Sequence, residues 1–184
     1  MSHNSIKKLT VTAMFIAISV VLVYFIHFPI IPTVAFLEYD PADIPILICA
    51  LAFGPIPGII ITVAASAIQA LTVSAQSGLY GFIMHVIATC TLSTVSSVIY
   101  SKFRSTKGLL VALICGAVAM GLIMMPANHF ITPMFTGWPT ETVDALLLPA
   151  ILPFNLIKAG INSLVTFLIY SQIRRFFEPT KSDR

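Results

Sequence analysis

The side chains with the clearest chemical potential are one lysine and two asparagines inside the last apolar stretch. Lys158 is the only charged residue between Ala145 and Ile173, with Asn155 three residues before it and Asn162 four residues after it. This spacing places all three on one face of a helix. Their N–H groups suit carbonyl or phosphate oxygens. A lysine facing lipid costs roughly 2.5–3.5 kcal/mol, so we expect this face to point inward and to bind a ligand. The alternative is an internal ion pair with an acidic loop residue.

Three further residues are candidates for the same site. Asn128 follows Pro126 in an apolar run, and Glu38 and Tyr39 belong to the acidic segment after the first apolar stretch. Each also has a purely structural interpretation. Asn128 could be a hydrogen-bond partner between membrane helices, Glu38 could lie in a solvated loop, and Tyr39 could anchor the chain at the membrane interface.

The sequence gives no sign of catalysis or of a bound metal. There is no G-x-x-x-x-G-K-[ST] phosphate loop and no H-E-x-x-H pair, so we expect neither ATP hydrolysis nor metalloprotease chemistry. His85 has no companion at metal-ligand spacing and is interpreted as a satisfied core residue. The three cysteines lie in apolar runs without a C-x-x-C pair, typical of small buried hydrophobes. We therefore predict neither enzyme activity nor a resident cofactor.

The composition places the chain in a membrane. Of its 184 residues, 58% are hydrophobic and 9% are charged, with a mean hydropathy of +0.98, which excludes an ordinary soluble domain. The net charge of +3 is modest and its basic residues lie near helix ends, so nucleic acid is not an expected partner.

The apolar runs predict an all-α integral membrane bundle, residues 1–184 forming one domain. The second helix is short for a full crossing, a long loop is expected to begin at Pro126, and Pro149 and Pro153 should kink the last helix. The six predicted helices cover residues 5–27, 41–53, 57–73, 79–100, 107–125 and 142–177.

The distribution of charge predicts the topology. An even number of crossings puts both termini on one side, and nine of the ten basic residues then share that side. The positive-inside bias makes that side the cytoplasm. The outer side then receives the acidic residues Glu38, Asp40, Asp43, Glu141 and Asp144.

Several motifs resemble one family. Residues 36–45 (FLEYDPADIP), followed by FGP at 53–55 and Gly58, are similar to the substrate-binding S components of energy-coupling factor (ECF) vitamin transporters. The riboflavin branch is the most similar. Residues 152–162 (LPFNLIKAGIN) and Asn128 with ITP at 131–133 carry the same resemblance.

This resemblance implies a six-helix protein of the prokaryotic plasma membrane whose outward-opening pocket binds riboflavin, or its phosphate, as transported ligand. A shared membrane subunit and two cytoplasmic ATPases would be its partners. Ala13 and Ala17, a small-xxx-small pair on helix one, would meet the shared subunit. Another vitamin, or a stand-alone membrane channel, remains open. The implied ligand-binding residues are Glu38, Tyr39, Asn128, Asn155 and Lys158.

Overall fold

A computed structural model describes residues 3–31 and 34–177, with side chains from Leu9 onward. Helices make up most of this part of the chain. A short antiparallel ribbon, β1 (Phe28–Pro29) with β2 (Glu38–Tyr39), pairs Phe28 with Tyr39. The helices are α1 (His3–Phe25), α2 (Asp43–Phe53), α3 (Pro55–Leu71), α4 (Gly78–Lys102), α5 (Thr106–Thr136), α6 (Thr140–Leu146) and α7 (Leu152–Ile173), with a π-helical turn at Leu147–Ile151 and a 3-10 turn at Arg174–Phe176.

The predicted all-α membrane bundle is confirmed. α4, α5 and the continuous helical course Thr140–Phe176 are long and apolar enough to span a membrane. Together with α1, α2 and α3 they make six helical segments in the described part of the chain. α2 has only 11 residues, or about 16 Å of helix, so it reaches about half-way through a hydrocarbon core of about 30 Å.

The predicted end of the fifth helix at residue 125 is wrong. α5 continues through Pro126 and Pro133 to Thr136, and Gly137 ends it in the left-handed conformation with φ of 71°. Polar side chains bond to the backbone in these turns: the Asn128 side chain donates to the Met124 carbonyl over 2.7 Å. Membrane helices tolerate proline when they are packed in a bundle. Asn128 therefore lies on a helix, not in a loop.

The last predicted helix, 142–177, is interrupted. Pro149 lies in the π-helical turn, and Pro153 lies in the first turn of α7. A proline lacks the amide hydrogen that an α-helix needs, and the wider π turn accommodates this gap. The structure thus departs from a regular α-helix at Pro149 by a change of helix type, and the predicted kink itself stays a prediction.

The segment before α2 also differs in detail from the prediction. The helix begins at Asp43, with Ala42 as its N-cap, and not at residue 41. Asp40 Oδ1 accepts the Ala42 amide hydrogen at 3.0 Å, which closes a turn just before the helix. This turn fixes the backbone around the Asp40 carboxylate.

α5 packs against both α4 and α7. At the end of the bundle away from the ribbon, the Tyr100 and Tyr170 rings meet edge to face with centroids 5.6 Å apart. Gly116 brings α5 against α4: a Cβ there would collide with the Ser96 hydroxyl and the Leu92 carbonyl. We call this region, with the buried residues Leu92, Leu109 and Leu113, the packed end. α1 lies apart from it, packed on α2 and α3.

Charges are segregated along the bundle. The packed end carries the described basic residues Lys102, Arg104, Lys107, Arg174 and Arg175, and the opposite end carries Glu38, Asp40, Asp43, Glu141 and Asp144. Lys181 and Arg184 lie outside the described residues, as do the side chains of Lys7 and Lys8. Which end faces the cytoplasm stays a prediction.

Candidate functional site

A cavity opens at the end of the bundle opposite the packed end. It contains about 900 Å³ of space, with the open mouth and adjoining solvent included. Its walls come from the segment before α2 and from α3, α4, α5 and α7. The apolar part of the lining includes Phe36, Leu37, Met84, Ala88, Met120, Met124, Phe135 and Phe154, and the polar part includes Glu38, Asp40, Gln69, His85, Asn128, Asn155 and Lys158.

The segment that carries Glu38 and Asp40 is held in place by apolar contacts. Val34 and Leu37 pack in one cluster with Val143, Ile151 and Phe154 of the α6–α7 course. Pairing of β2 with β1 fixes the backbone at Glu38 and Tyr39. The position of this segment thus depends on its packing against α6, the π-helical turn and α7, the helix that also carries Lys158.

Lys158 forms an ion pair. Its Nζ lies 2.6 Å from Asp40 Oδ2 and also donates to the Glu38 carbonyl oxygen over 3.4 Å. Both side chains of the pair are more than nine-tenths buried, and Lys158 lines the cavity. The alternative of an internal ion pair is therefore correct, and the same lysine still faces a cavity. An ammonium has three hydrogens, so one N–H remains for a ligand.

The Asp40 carboxylate is stabilised in its ionised form. Burial alone would raise its pKa, but the Lys158 ammonium, together with His85, holds the pKa well below its usual range. The charged form of the ion pair is therefore favoured over two neutral groups.

A second buried acid, Asp43, is linked to Asp40 through the side chain of Asn162. Thr89 donates to Asp43 Oδ1 over 2.6 Å, and the Asn162 amide donates to Asp43 Oδ2 over 2.9 Å and to the Asp40 carbonyl over 3.0 Å. The Tyr39 hydroxyl donates to Asn162 Oδ1 over 3.0 Å. Asn162 thus ties the segment before α2 to α7, and both Asp43 oxygens have donors.

His85 completes the cluster from α4. Its Nδ1 shares a hydrogen bond with Ser66 Oγ at 2.7 Å. Its Nε2 lies 3.8 Å from Asp40 Oδ2 and 3.9 Å from Asp43 Oδ1, and this buried nitrogen has no hydrogen-bond partner among the described residues. His85 therefore bonds through one ring nitrogen and faces two carboxylates with the other. We call Asp40, Asp43, His85 and Lys158 the charged cluster.

Two asparagines bring amide groups to the cavity wall. Asn128 donates to the Met124 carbonyl and its Oδ1 accepts from the Thr132 hydroxyl over 2.8 Å. Asn155 donates to the Ile151 carbonyl over 2.8 Å. Both are buried and both line the cavity. Each amide keeps one N–H, and no described donor takes Asn155 Oδ1, so an acceptor also remains.

The predicted ligand-binding residues divide into two groups. Glu38, Asn128, Asn155 and Lys158 line the same cavity, whereas Tyr39 does not. Tyr39 is buried behind the wall, where it orients Asn162. Glu38 is about one-third exposed, with His27 Nε2 at 3.7 Å from its carboxylate.

Sequence reasoning gave no site role to Asp40, Asp43 or His85. The two aspartates were interpreted as outer-side charges, and the unpaired Lys158 was the signal that one of them had to be buried. No local pattern marks His85, since its neighbours Ser66 and Asp43 are on other helices. Within the described residues, no cluster of three His, Cys, Asp or Glu side chains could hold a metal ion.

The predicted docking pair lies elsewhere. Ala13 and Ala17 are one helical turn apart on α1, and both are exposed. Exposed apolar side chains surround them, including Leu9, Met14, Ile18 and Val21. The pair therefore lies on an accessible outer face, away from the cavity.

Comparisons with known proteins place these features in context. Residues 7–170 match the family described as ECF transporter, substrate-specific component. The riboflavin transporter FmnP of Bacillus subtilis is 30% identical over 96% of this chain and 97% of its own length. The riboflavin transporter RibU of Staphylococcus aureus is 29% identical over 94% and 93%.

Solved structures agree. The S component of a bacterial ECF transporter superposes with a TM-score of 0.83 and 29% identity, covering 95% of this chain and 99% of that one. ThiT from Listeria monocytogenes has a TM-score of 0.68 at 15% identity, covering 96% and 100%, which is a likeness of fold.

Proposed function

Because this chain belongs to the family of ECF transporter substrate-specific components, we propose that its cavity binds riboflavin for import. The supporting observation is the joint presence of Glu38, Asn128, Asn155 and Lys158 in the lining of one cavity, in a chain whose relatives are riboflavin transporters. The family is one of transporters, so the chain is a binding subunit and not an enzyme.

The chemistry of a flavin ring matches the two parts of the lining. The isoalloxazine ring is flat and largely apolar, and one edge carries carbonyl and ring-nitrogen acceptors with a single N–H donor. The aromatic, methionine and aliphatic side chains of the cavity suit the ring faces. The free N–H groups of Lys158, Asn128 and Asn155 suit the acceptors, and Asn155 Oδ1 or Glu38 suits the N–H.

Another part of the lining suits the sugar-alcohol tail of riboflavin. Gln69, Ser74, Ser77 and Tyr80 line the cavity from the end of α3 to the start of α4. Their side chains are neutral and can both donate and accept hydrogen bonds, as hydroxyl groups on a flexible chain require. A ligand with an aromatic ring and a polyol tail uses both parts of the lining.

Riboflavin titration of the purified protein, followed by quenching of flavin fluorescence, tests this function. We expect tight binding, weakened about 10- to 150-fold in Lys158→Ala, since a hydrogen bond to a charged group contributes roughly 1.5–3 kcal/mol. Asn155→Leu loses a neutral hydrogen bond and should weaken binding less, by about 3- to 10-fold.

Lys102→Ala, at the packed end, is the control and should bind like the wild type. Because Lys158→Ala also leaves Asp40 without its partner, binding is compared only for samples that elute as folded protein. A wild-type protein that binds no riboflavin overturns the proposed function.

Transport requires partners, and α1 is the proposed docking helix. We assign the shared membrane subunit to the exposed face at Ala13 and Ala17, where small side chains allow another helix to approach closely. Two cytoplasmic ATPases supply energy. The packed end, with its basic residues, faces the cytoplasm, and the cavity opens to the outside of the prokaryotic plasma membrane.

Ala13→Trp separates docking from binding. The bulky ring should block the partner helix and abolish uptake of radiolabelled riboflavin in cells that supply the shared subunits, while riboflavin affinity stays at the wild-type level. Leu164→Trp, at an exposed apolar position of α7, is the matched control and should preserve both. Uptake by the Ala13→Trp variant at the wild-type rate would contradict docking at this face.

A further inference from the structure

The charged cluster is not electrically balanced by its own permanent charges. Two carboxylates, Asp40 and Asp43, face a single ammonium, Lys158. All three side chains are buried. A buried charge without a counter-charge is unfavourable, so one more positive charge would stabilise this cluster.

His85 is in position to supply that charge. Its buried Nε2 lies between the two carboxylates, at 3.8 Å from Asp40 and 3.9 Å from Asp43, and lacks a hydrogen-bond partner among the described residues. The other ring nitrogen contacts the Ser66 hydroxyl, which can accept a hydrogen bond from a protonated ring. A protonated His85 would thus have an acceptor at each nitrogen.

His85 and Lys158 also share an acceptor. Nε2 of His85 lies closest to Asp40 Oδ2, the same oxygen that Lys158 Nζ contacts at 2.6 Å. A small rotation of a protonated imidazole would replace the ammonium at this oxygen. Lys158 would then be free to turn its N–H groups toward an acceptor in the cavity.

We propose that His85 is a positioning residue whose protonation neutralises the Asp40–Asp43 pair and releases Lys158 to the ligand. The inference rests on the proposed function, since it describes how that binding site is set. It makes ligand binding and proton uptake mutually favourable. Ligand affinity must therefore fall as the pH rises and this proton is lost.

Other titratable groups near this site are few. The segment before α2 contributes Glu38, Tyr39 and Asp40, α2 contributes Asp43, and α7 contributes Lys158. α3 contributes the uncharged Ser66, and α5 contributes no charged side chain to the described cavity wall. His27 contacts Glu38, and His129 contacts Asp144 outside the cavity.

The experiment measures riboflavin affinity between pH 5.5 and 8.5 for wild type, His85→Gln and His129→Gln. Wild-type affinity should fall with rising pH, by at most about tenfold per pH unit for one linked proton. His85→Gln should give a flat profile at the wild-type high-pH level. His129→Gln removes a histidine outside the cavity and should follow the wild type, and His27→Gln tests in the same way for an effect through Glu38.

Calorimetry of the wild type gives a second measurement if His85→Gln does not fold. Riboflavin binding in two buffers of different ionisation enthalpy should show net proton uptake near neutral pH. A wild-type profile without pH dependence, absence of proton uptake, or a pH slope retained by His85→Gln would each overturn the role of His85 and leave riboflavin binding intact. Absence of riboflavin binding at every pH would overturn the proposed function, and this inference with it.

Discussion

The two ends of the bundle use buried polar groups in opposite ways. At the cavity, charged and amide side chains bond to one another across sequence separations of more than 100 residues, as in Lys158 with Asp40 and Tyr39 with Asn162. At the packed end, the buried hydroxyls of Ser96, Ser163 and Thr166 have no hydrogen-bond partner among the described residues. There, small side chains let helices approach closely, and apolar contacts provide the stability.

This difference assigns separate tasks to the two ends. The charged cluster holds an open cavity in a defined shape, because each polar contact has a preferred distance and direction. At the packed end, α4 and α5 are in close contact at Gly116, which leaves no room for a larger side chain there. Substitutions at the cavity should therefore alter both binding and stability, whereas substitutions at the packed end should alter stability alone.

The largest effect is expected from Asp40→Leu. Removing one partner of a buried ion pair leaves the Lys158 ammonium without its closest counter-charge, which lowers the free energy of unfolding by about 3–5 kcal/mol. Thermal unfolding of the detergent-purified protein measures the change.

The double variant Asp40→Leu with Lys158→Met is the control, because it removes both charges at once. It should be more stable than Asp40→Leu alone. Equal stability of the single and double variants would mean that the ion pair does not hold the segment before α2.

An intermediate effect is expected from Gly116→Val at the packed end. The new side chain meets the Leu92 carbonyl and the Ser96 hydroxyl, and such overpacking destabilises a protein by roughly 1–3 kcal/mol. Riboflavin affinity of the folded fraction should stay at the wild-type level. Gly160→Ala is the matched control, since no atom lies within 4 Å of its added Cβ, and it should be neutral or slightly stabilising. A loss of affinity in Gly116→Val would contradict the separation of tasks.

The smallest effect is expected from His129→Gln. His129 Nδ1 lies 2.6 Å from Asp144 Oδ1, and this contact joins α5 to α6. Each of the two side chains is about two-fifths exposed. Exposed pairs contribute about 0–1 kcal/mol, and salt screens them. Thermal unfolding should shift by no more than a few degrees, and high salt should reduce the difference. A shift as large as that of Asp40→Leu would show that α6 is held by this pair.

The sequence predicted the membrane architecture because that prediction depends on local patterns. Runs without charge define the helices, and Lys158 is visible as a lone charge in such a run. The proline rule failed at Pro126, since it holds for helices in water. Inside this bundle, the helix continues through Pro126 and Pro133 to Thr136.

The contacts of Lys158 and His85 in the site could not be predicted from the sequence, because they join residues that lie far apart along the chain. Four of the five predicted ligand-binding residues line one cavity, which follows from the motifs that carry them. The partner of Lys158 was not specified, because three acidic residues, Glu38, Asp40 and Asp43, lie close together in the sequence. The role of His85 depends on contacts with α2 and α3, and no spacing along α4 encodes them.

The shortness of α2 has a consequence for transport under the proposed function. Its 11 residues separate Asp43, beside the cavity, from the turn at Gly54. About 16 Å of helix therefore lies between Asp43 and this turn, a length equal to roughly half of a hydrocarbon core. Under the proposed import function, a bound ligand would have to move past about this length of helix, and not along a full membrane crossing.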